Sequence, residues 1–525
     1  MEKKTIHILA TSDIHGQVFP HAYHNQQPSQ QGLLKAASYI KRKRKEDGTF
    51  LLIDNGDLIQ GTPLTYHFAR KQSHLINPMI IALNYLAYDA AVIGNHEFNY
   101  GRELLDRTVD ASHFPWLSAN IVSEETGRPA FGKPYIVKEL EGIKVAVLGV
   151  TTHYIPNWEE PAHIKGLSFS DAYETVRSWI AHLKRNETFD VLVVAYHGGF
   201  ERDLEKGDPT EPLTGENQGY EMCMNLADID VLITGHQHRQ IAEKLNSTAV
   251  VQPGNNGKYL ADVKLEFIKT GEKWRITKNT PSLVMIGEEH PDEELGNLLL
   301  PYEQAAQSWL DKEIGTIDGC MLLSDLFQAR LKEHPFVEFV NKVQMEAADT
   351  DISLTSLFSS EGGGFSERVT MRDIAANYVY PNTLKVLSIS GADMKAALEK
   401  SAEYFQLDEN RNYQVNSAFT DPKPQHYNYD MWEGISYVLD ISKPHGERVV
   451  DLSYHEQPVD LNKDYAVVMN NYRAGGGGNY HMFKDSKVLK EIPVDMSELI
   501  ADYFIRNGRV RASINENWKI IGGHS

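Results

Sequence analysis

The chain has 525 residues, 41% hydrophobic and 24% charged, which is too long for one ordinary domain and suits two or more folded units. A formal net charge of −20 argues against a protein held on duplex nucleic acid by phosphate contacts; a single nucleotide stays open, because a bound metal can supply local positive charge. Cys223 and Cys320 are the only cysteines, too few and too far apart for a disulfide framework or a thiolate zinc site, and they point to a reducing compartment.

The amino terminus carries Lys3-Lys4 and then an apolar run over 6–10 that breaks at Thr11-Ser12-Asp13. That run is too short for a signal segment and reads as a first strand leading into Asp13-Ile14-His15. No stretch approaches ~20 apolar residues, so no membrane span is expected. A helix is expected over 32–46, with Leu33, Leu34, Ala37 and Ile40 on one face. It ends in Lys41-Arg42-Lys43-Arg44-Lys45, either a nucleic-acid patch or a solvated last turn that complements the helix dipole. A second strand over 50–53 delivers Asp54-Asn55-Gly56-Asp57. A crossover helix over 78–88 enters a third strand over 90–93 and then Gly94-Asn95-His96-Glu97. Further strands are expected over 144–150, over 191–194 before His197-Gly198-Gly199, and over 231–233 before Gly235-His236-Gln237-His238. A helix over 170–184 has Ala172, Val176, Trp179, Ile180 and Leu183 at helical spacing. Residues 249–251 and 263–267 read as closing strands, whose partial alternation suits an antiparallel edge.

Short apolar runs bounded by glycine and polar turns suit strands covered on both faces. In open α/β sheets, ligands bind outside the carboxyl ends of such strands. The strand ends therefore offer Asp13, His15, Asp57, Asn95, His197, His236 and His238 to one rim. These donors are oxygen and imidazole nitrogen, with no thiolate. One metal takes roughly four to six ligands, so this set suits two divalent ions that share a carboxylate. Asp57, right after Gly56 on a central strand, is placed to bridge. Two ions at ~3.5–4 Å lower the pKa of a bound water and clamp the attacking and leaving oxygens at phosphorus. Mn, Zn, Fe and Co all accept such donors.

The character shifts over 269–319. Polar turns precede Pro291 and a helical run over 292–312, interrupted by Pro301; this predicts two helical pieces with a kink. Beyond it, helix and strand signals mix: a helix over 391–405 and strands over 435–441 and 465–469. Two glycine clusters, Gly362-Gly363-Gly364 and Gly475-Gly476-Gly477-Gly478, read as flexible loops or as phosphate cradles. Tyr427, Tyr429, Trp432, Tyr472 and Tyr480 lie close to polar loops. The expected division is 1–270, a linker over 271–318 with the kinked helix, and 319–525. No internal repeat or low-complexity tract is visible.

Asp13-x-His15, Gly56-Asp57, Gly94-Asn95-His96-Glu97, His197 and Gly235-His236-x-His238, in that order, resemble the signature of calcineurin-like metallophosphoesterases. Asn55-Gly56-Asp57-Leu58-Ile59-Gln60-Gly61, residues 94–101, Tyr427-Asn428-Tyr429-Asp430-Met431 and residues 470–478 extend the resemblance to the 5′-nucleotidase superfamily. Within it the chain is most similar to the 2′,3′-cyclic-nucleotide 2′-phosphodiesterase/3′-nucleotidase branch, over nearly its whole length. The resemblance implies an α/β fold of two domains. A four-layer α/β/β/α sandwich would come first and an α+β nucleotide-binding domain second, with the domains swinging about an active site between them. It implies a hydrolase of nucleotide phosphoesters. One ion would be held by Asp13, His15, Asp57 and His238, the other by Asp57, Asn95, His197 and His236. His96 would stabilise the transition state or protonate the leaving oxygen. The base would stack between Tyr429 and Tyr472. The nucleotide is the expected partner; no membrane and no obligate protein partner is implied.

Three departures qualify this. Asn99 stands where 5′-nucleotidases place an aspartate that orients the catalytic histidine; it can hydrogen-bond the ring but brings no charge. Ser366, with Arg368 two residues on, stands where they place a phosphate-binding arginine, and Arg473 beside Tyr472 is the candidate to replace it. Many relatives are exported, whereas a cytoplasmic location is expected here. A 5′-nucleotidase or nucleotide-sugar hydrolase is the alternative enzyme. A binder that kept the fold and lost turnover is the alternative from another class, but such a chain would have lost a ligand or His96, and none is missing.

Overall fold

Every residue of the strands Phe50–Asp54, Val191–His197 and Thr248–Pro253 is buried, as strands covered on both faces must be. The computed structural model describes residues 2–524 except 47, 158, 212, 359–362, 379–381, 422 and 493. It divides into two units, Met1–Gln307 and Ser308–Ser525.

The first unit holds two six-stranded sheets. One runs Lys273–Met285, Tyr259–Thr270, Lys3–Thr11, Phe50–Asp54, Ala90–Val92, Trp116–Leu117; the other runs Gln240–Leu245, Thr248–Pro253, Val231–Ile233, Val191–His197, Ile143–Thr151, Tyr135–Leu140. The central pairs are parallel, with Thr11 opposite Asp54 and Thr151 opposite His197. Ile6, Ile8, Leu51 and Ile53 of the first sheet meet Val145, Val147, Val191 and Val193 of the second in one core; full burial of such side chains is worth roughly 1.5–3 kcal/mol each. The alternate residues Ala146, Leu148, Leu192 and Val194 pack under Val176, Ile180 and Leu183 of helix Ala172–Asn186 and under Met222 of helix Gly219–Asn225. The first of these helices starts where the Asp171 carboxylate accepts the Glu174 N–H.

Helix Leu33–Glu46 lies on the outer face of the first sheet, with the Arg44 guanidinium 5.2 Å from the Phe50 ring. Three side chains of its basic run form ion pairs within the unit. Lys41 pairs with Asp292 at 2.8 Å and Glu294 at 2.7 Å, Arg42 with Glu289, and Lys43 with Asp262 at 3.7 Å. The helix therefore ends in a salt-bridged last turn.

Three expectations need correction. The first unit does not end at residue 270: Lys273–Met285 pairs antiparallel along Tyr259–Thr270, and Trp274, Ile276 and Leu283 pack on the core between the sheets. Residues 249–251 and 263–267 lie inside strands that have a further strand outside them. Pro301 does not split its helix, which runs over Glu293–Leu310 and contains the boundary between the units.

In the second unit a five-stranded sheet runs Met431–Glu433, Ile352–Thr355, Asp464–Asn470, Leu384–Ser390, Lys487–Ile492. Helices Pro335–Ala348 and Gly391–Ala402 add Phe339, Val340, Ala397 and Leu398 to its core. Strand Asp464–Asn470 ends on Asn470, whose side chain accepts the Arg473 N–H and caps the short helix Asn471–Ala474; this places Tyr472 and Arg473. Of the first glycine cluster, Gly362 lies outside the described residues. Gly364 has φ +69°, and a Cβ there would sit 2.0 Å from the Met321 carbonyl oxygen, so close packing explains that glycine. Among the described residues, no helix is long and apolar enough to cross a membrane.

Candidate active site

The parallel centres of both sheets of the first unit end on one rim. Asp13 and His15 follow strand Lys3–Thr11, Asp57 follows Phe50–Asp54, and Asn95 follows Ala90–Val92. His197 closes Val191–His197, and His236 and His238 follow Val231–Ile233. Asp13, His15, Asp57, His236 and His238 all have left-handed backbone, with φ of 54°, 51°, 56°, 68° and 58°. Such residues cost of order 1 kcal/mol or more each and persist only where the surroundings hold them.

The holding groups are visible. Asp13 N–H donates to the Gly56 carbonyl and His15 N–H to the Asp57 carbonyl, both at 2.9 Å. The Asp57 carboxylate accepts His96 N–H at 2.8 Å, and the Asp13 carboxylate accepts His236 N–H at 2.9 Å. Glu97, fully buried, accepts the N–H groups of Asp57 at 2.9 Å and of Leu58 and Gly94 at 2.6 Å. One carboxylate thus knits the loop of Asp57 to the loop of Asn95.

Two clusters result. Asp13, His15 and His238 form one and Asp57, His197 and His236 the other. In the first, His15 Nε2 is 2.9 Å from His238 Nε2, and His238 Nε2 is 3.5 Å from Asp13 Oδ1. In the second, His197 Nε2 is 3.2 Å from Asp57 Oδ2 and 3.1 Å from Asn95 Oδ1, while His236 Nδ1 is 2.8 Å from Asn95 Oδ1. Asp57 Oδ2 also lies 3.9 Å from His15 Nε2, so one carboxylate reaches toward both groups.

The far nitrogens of three rings are anchored on oxygen. His15 Nδ1 meets the Gln60 carbonyl at 3.0 Å, His197 Nδ1 the Asn55 carbonyl at 2.6 Å, and His236 Nε2 the Glu216 carboxylate at 2.7 Å. Such partners fix the tautomer and aim the other nitrogen, as metal-binding histidines require. The oxygen and imidazole donors fit divalent metal ions. Burial raises the Asp13 carboxyl to about 6 and lowers His15 to about 4. Burial would raise Asp57, but the imidazoles of His197, His96 and His15 hold it well below the usual carboxylate range.

His96 stands beside these clusters and in neither. Its Nε2 is 4.0 Å from Asp57 Oδ2, and its Nδ1 is 2.6 Å from Asn99 Oδ1. Asn99 Nδ2 in turn donates to Glu159 Oε2 at 2.7 Å. Glu159 and Glu216 have no distinguishing signal in the sequence, because Glu159 meets Asn99 60 residues away and Glu216 meets His236 20 residues away; Glu97 stands inside the Gly94-Asn95-His96-Glu97 motif, but its reach to Asp57 is made by the fold.

In the second unit two expectations fail. Tyr429 is fully buried, its ring centroid 4.9 Å from that of Tyr404 and 5.3 Å from that of Phe405, so it has no face for a base. Tyr427, two residues earlier in the turn His426–Asn428, is half-buried, with its ring 6.5 Å from Tyr472 at 70°. The aromatic partner of Tyr472 is therefore Tyr427. Arg473 is 1% exposed and is not placed to bind phosphate. Its Nε is 2.6 Å from Asp430 Oδ2, and its Nη2 donates to Asp430 Oδ1 at 3.0 Å and to the Tyr427 carbonyl at 3.1 Å. Its Nη1 donates to the Gly477 carbonyl, and the guanidinium lies 3.9 Å from the Tyr480 ring centroid. Ser366 is exposed, and its hydroxyl donates to the Arg368 carbonyl at 2.8 Å.

Comparison with known proteins agrees with this division. Residues 6–240 match the family model of calcineurin-like phosphoesterases, and residues 313–485 that of the 5′-nucleotidase C-terminal domain. The chain is 28% identical to a 2′,3′-cyclic-nucleotide 2′-phosphodiesterase/3′-nucleotidase of Salmonella typhimurium, over 99% of this chain and 89% of that protein. It is 27% identical to the trifunctional nucleotide phosphoesterase protein YfkN of Bacillus subtilis, over 98% of this chain but only 38% of that protein's length. A crystal structure from Staphylococcus aureus, provisionally named a 5′-nucleotidase and holding alpha-ketoglutarate, superposes with a TM-score of 0.90 at 39% identity, over 98% of this chain and all of that one.

Proposed function

The chain belongs to the 5′-nucleotidase superfamily of calcineurin-like metallophosphoesterases and is a metal-dependent phosphoester hydrolase; on that premise we propose that it opens 2′,3′-cyclic nucleotides at the 2′ bond and then removes the 3′ phosphate. Asp13, His15, Asp57 and His238 would hold one divalent ion, and Asp57, Asn95, His197 and His236 the other. When bound, the two ions activate water and neutralise charge on the phosphoryl oxygens. The observation that carries this reading is the position of Asp57 Oδ2, 3.2 Å from His197 Nε2 and 3.9 Å from His15 Nε2. His96, outside both ligand sets, gives its Nε2 proton to the leaving oxygen. Tyr427 and Tyr472, a half-buried aromatic pair of the second unit, are the rings on which the base would stack.

The preference for 3′- over 5′-monoesters rests on the resemblance of residues 95–101 to the cyclic phosphodiesterase branch, and the preference for the cyclic diester rests on charge. A cyclic diester carries one negative charge and a 5′-monoester nearly two, and a guanidinium fork is the group that rewards the second charge. Arg473 is committed to Asp430, and Ser366 occupies the other expected arginine position. The runner-up, a 5′-nucleotidase, is favoured by the 39% identity to the Staphylococcus aureus protein. The deciding test is kcat/KM for 2′,3′-cyclic AMP, 3′-AMP and 5′-AMP at one Mn²⁺ concentration. The first two should exceed the third; a preference for 5′-AMP would promote the runner-up and leave the two-ion assignment standing.

A further inference from the structure

Asn99 can accept a hydrogen bond from His96, but it brings no charge. The nearest charge along that line of contacts is the Glu159 carboxylate, which is 8% exposed and 60 residues away in sequence. Glu159 Oε2 accepts from Asn99 Nδ2 at 2.7 Å. Glu159 Oε1 accepts the Glu160 N–H at 2.9 Å and lies 2.9 Å from His163 Nδ1.

These contacts leave one consistent set of hydrogens. A carboxylate only accepts, so the Asn99 amide nitrogen must face Glu159. The Asn99 amide oxygen then faces His96 Nδ1 at 2.6 Å, and Nδ1 must be the donor. The neutral His96 ring is therefore the Nδ1–H tautomer, with its Nε2 4.0 Å from Asp57 Oδ2, on the metal-cluster side. Glu159 thus decides, through one amide, which nitrogen of His96 carries the fixed proton.

We propose that Glu159 is a positioning residue for His96. Through Asn99 it locks the ring orientation and the tautomer. This rests on His96 being the proton donor of the proposed reaction. In that step hydroxide drawn from water forms a bond to phosphorus as the bond to the leaving oxygen breaks. The leaving oxygen takes the Nε2 proton. The ring is left neutral, with Nδ1–H still donating to Asn99 Oδ1, and regains the Nε2 proton from solvent; this balances the proton that the attacking water released.

The test moves the charge inward by one residue. Asn99→Asp alone sets two carboxylates in contact where a 2.7 Å hydrogen bond now stands. Glu159→Gln alone no longer dictates which way the Asn99 amide faces. Each single variant should lower kcat on 2′,3′-cyclic AMP about 10- to 100-fold, within the scale of general acid catalysis, with metal content unchanged. The double variant Asn99→Asp/Glu159→Gln restores one donor and one acceptor in reversed roles, and should return to within about threefold of the parent. Independently of turnover, ¹⁵N spectra of the histidine-labelled protein, with His96 assigned by its loss in His96→Asn, should show Nδ1–H in the parent and the double variant and a tautomer mixture in Glu159→Gln. A Glu159→Gln variant with parental kcat and an unmixed tautomer would overturn the proposal, as would a double variant no better than either single one. If the parent hydrolyses no nucleotide, the functional reading fails, and the tautomer spectra alone decide the role of Glu159.

Discussion

Arg473 Nε lies 2.6 Å from Asp430 Oδ2, and neither side chain is more than 1% exposed. The guanidinium also holds the carbonyls of Tyr427 and Gly477, so one buried ion pair joins the loop of Tyr427 to the loop of Tyr472. Gly478 makes this possible: at φ +69°, a Cβ there would sit 2.5 Å from Arg473 Nη1.

Removing one partner of a buried pair strands the other. Arg473→Met should destabilise the second unit by about 3–5 kcal/mol, and Asp430→Asn/Arg473→Met should lose less than Arg473→Met alone. Urea unfolding followed by tryptophan fluorescence reads this, since Trp432 lies in the same core. Parental stability of Arg473→Met would mean that Arg473 is not committed to Asp430.

The tyrosines separate by role. Tyr427→Ala and Tyr472→Ala should each raise KM for 2′,3′-cyclic AMP by roughly 5- to 150-fold, the scale of 1–3 kcal/mol per stacked base. Hydrolysis of ribose 3-phosphate, which has no base, should change little. Tyr429→Phe should be neutral, because the Tyr429 hydroxyl has no hydrogen-bond partner among the described residues, whereas Tyr429→Ala should cost about 3–5 kcal/mol of stability through the cavity it opens. Equal damage to both substrates from Tyr427→Ala would count against stacking.

Asp54 gives the pH dependence of the first unit. Its carboxyl accepts the Thr11 hydroxyl at 2.7 Å and the Gly56 N–H at 3.1 Å, and burial raises it from 3.8 to about 8. The folded chain therefore keeps a proton that the unfolded chain releases. The stabilisation is complete below the ordinary value and is lost as pH rises through about 8. Asp54→Asn removes this dependence, and Thr11 can turn its hydroxyl because Tyr88 OH lies 3.0 Å away. Unfolding of the metal-free chain should show the variant more stable than the parent by at least about 1 kcal/mol near pH 8, with a smaller difference near pH 4. Parallel pH profiles for the two would refute the raised carboxyl.

The rim was legible because its residues follow directly on apolar runs, whose burial on both faces the pattern of Phe50–Asp54 and Val191–His197 already implies. Strand Lys273–Met285 was not, since only Trp274 and Asn279 along it are buried and its polar character reads as turns. Tyr427 and Tyr429 are the same residue type two positions apart, and only packing tells which one turns inward. The charge of Arg473 is plain in sequence, but its partner lies 43 residues earlier. Glu159 was hidden for the same reason: its contact with Asn99 is made by the fold.

The account stands on Asp57 as the residue shared by two ions. Bound metal per chain, measured by elemental analysis after Mn²⁺ loading and dialysis, tests it most directly in the parent and in Asp57→Asn. The account predicts about two ions in the parent and fewer than about one in the variant, with turnover abolished. Two ions retained in Asp57→Asn, with near-parental turnover, would contradict it.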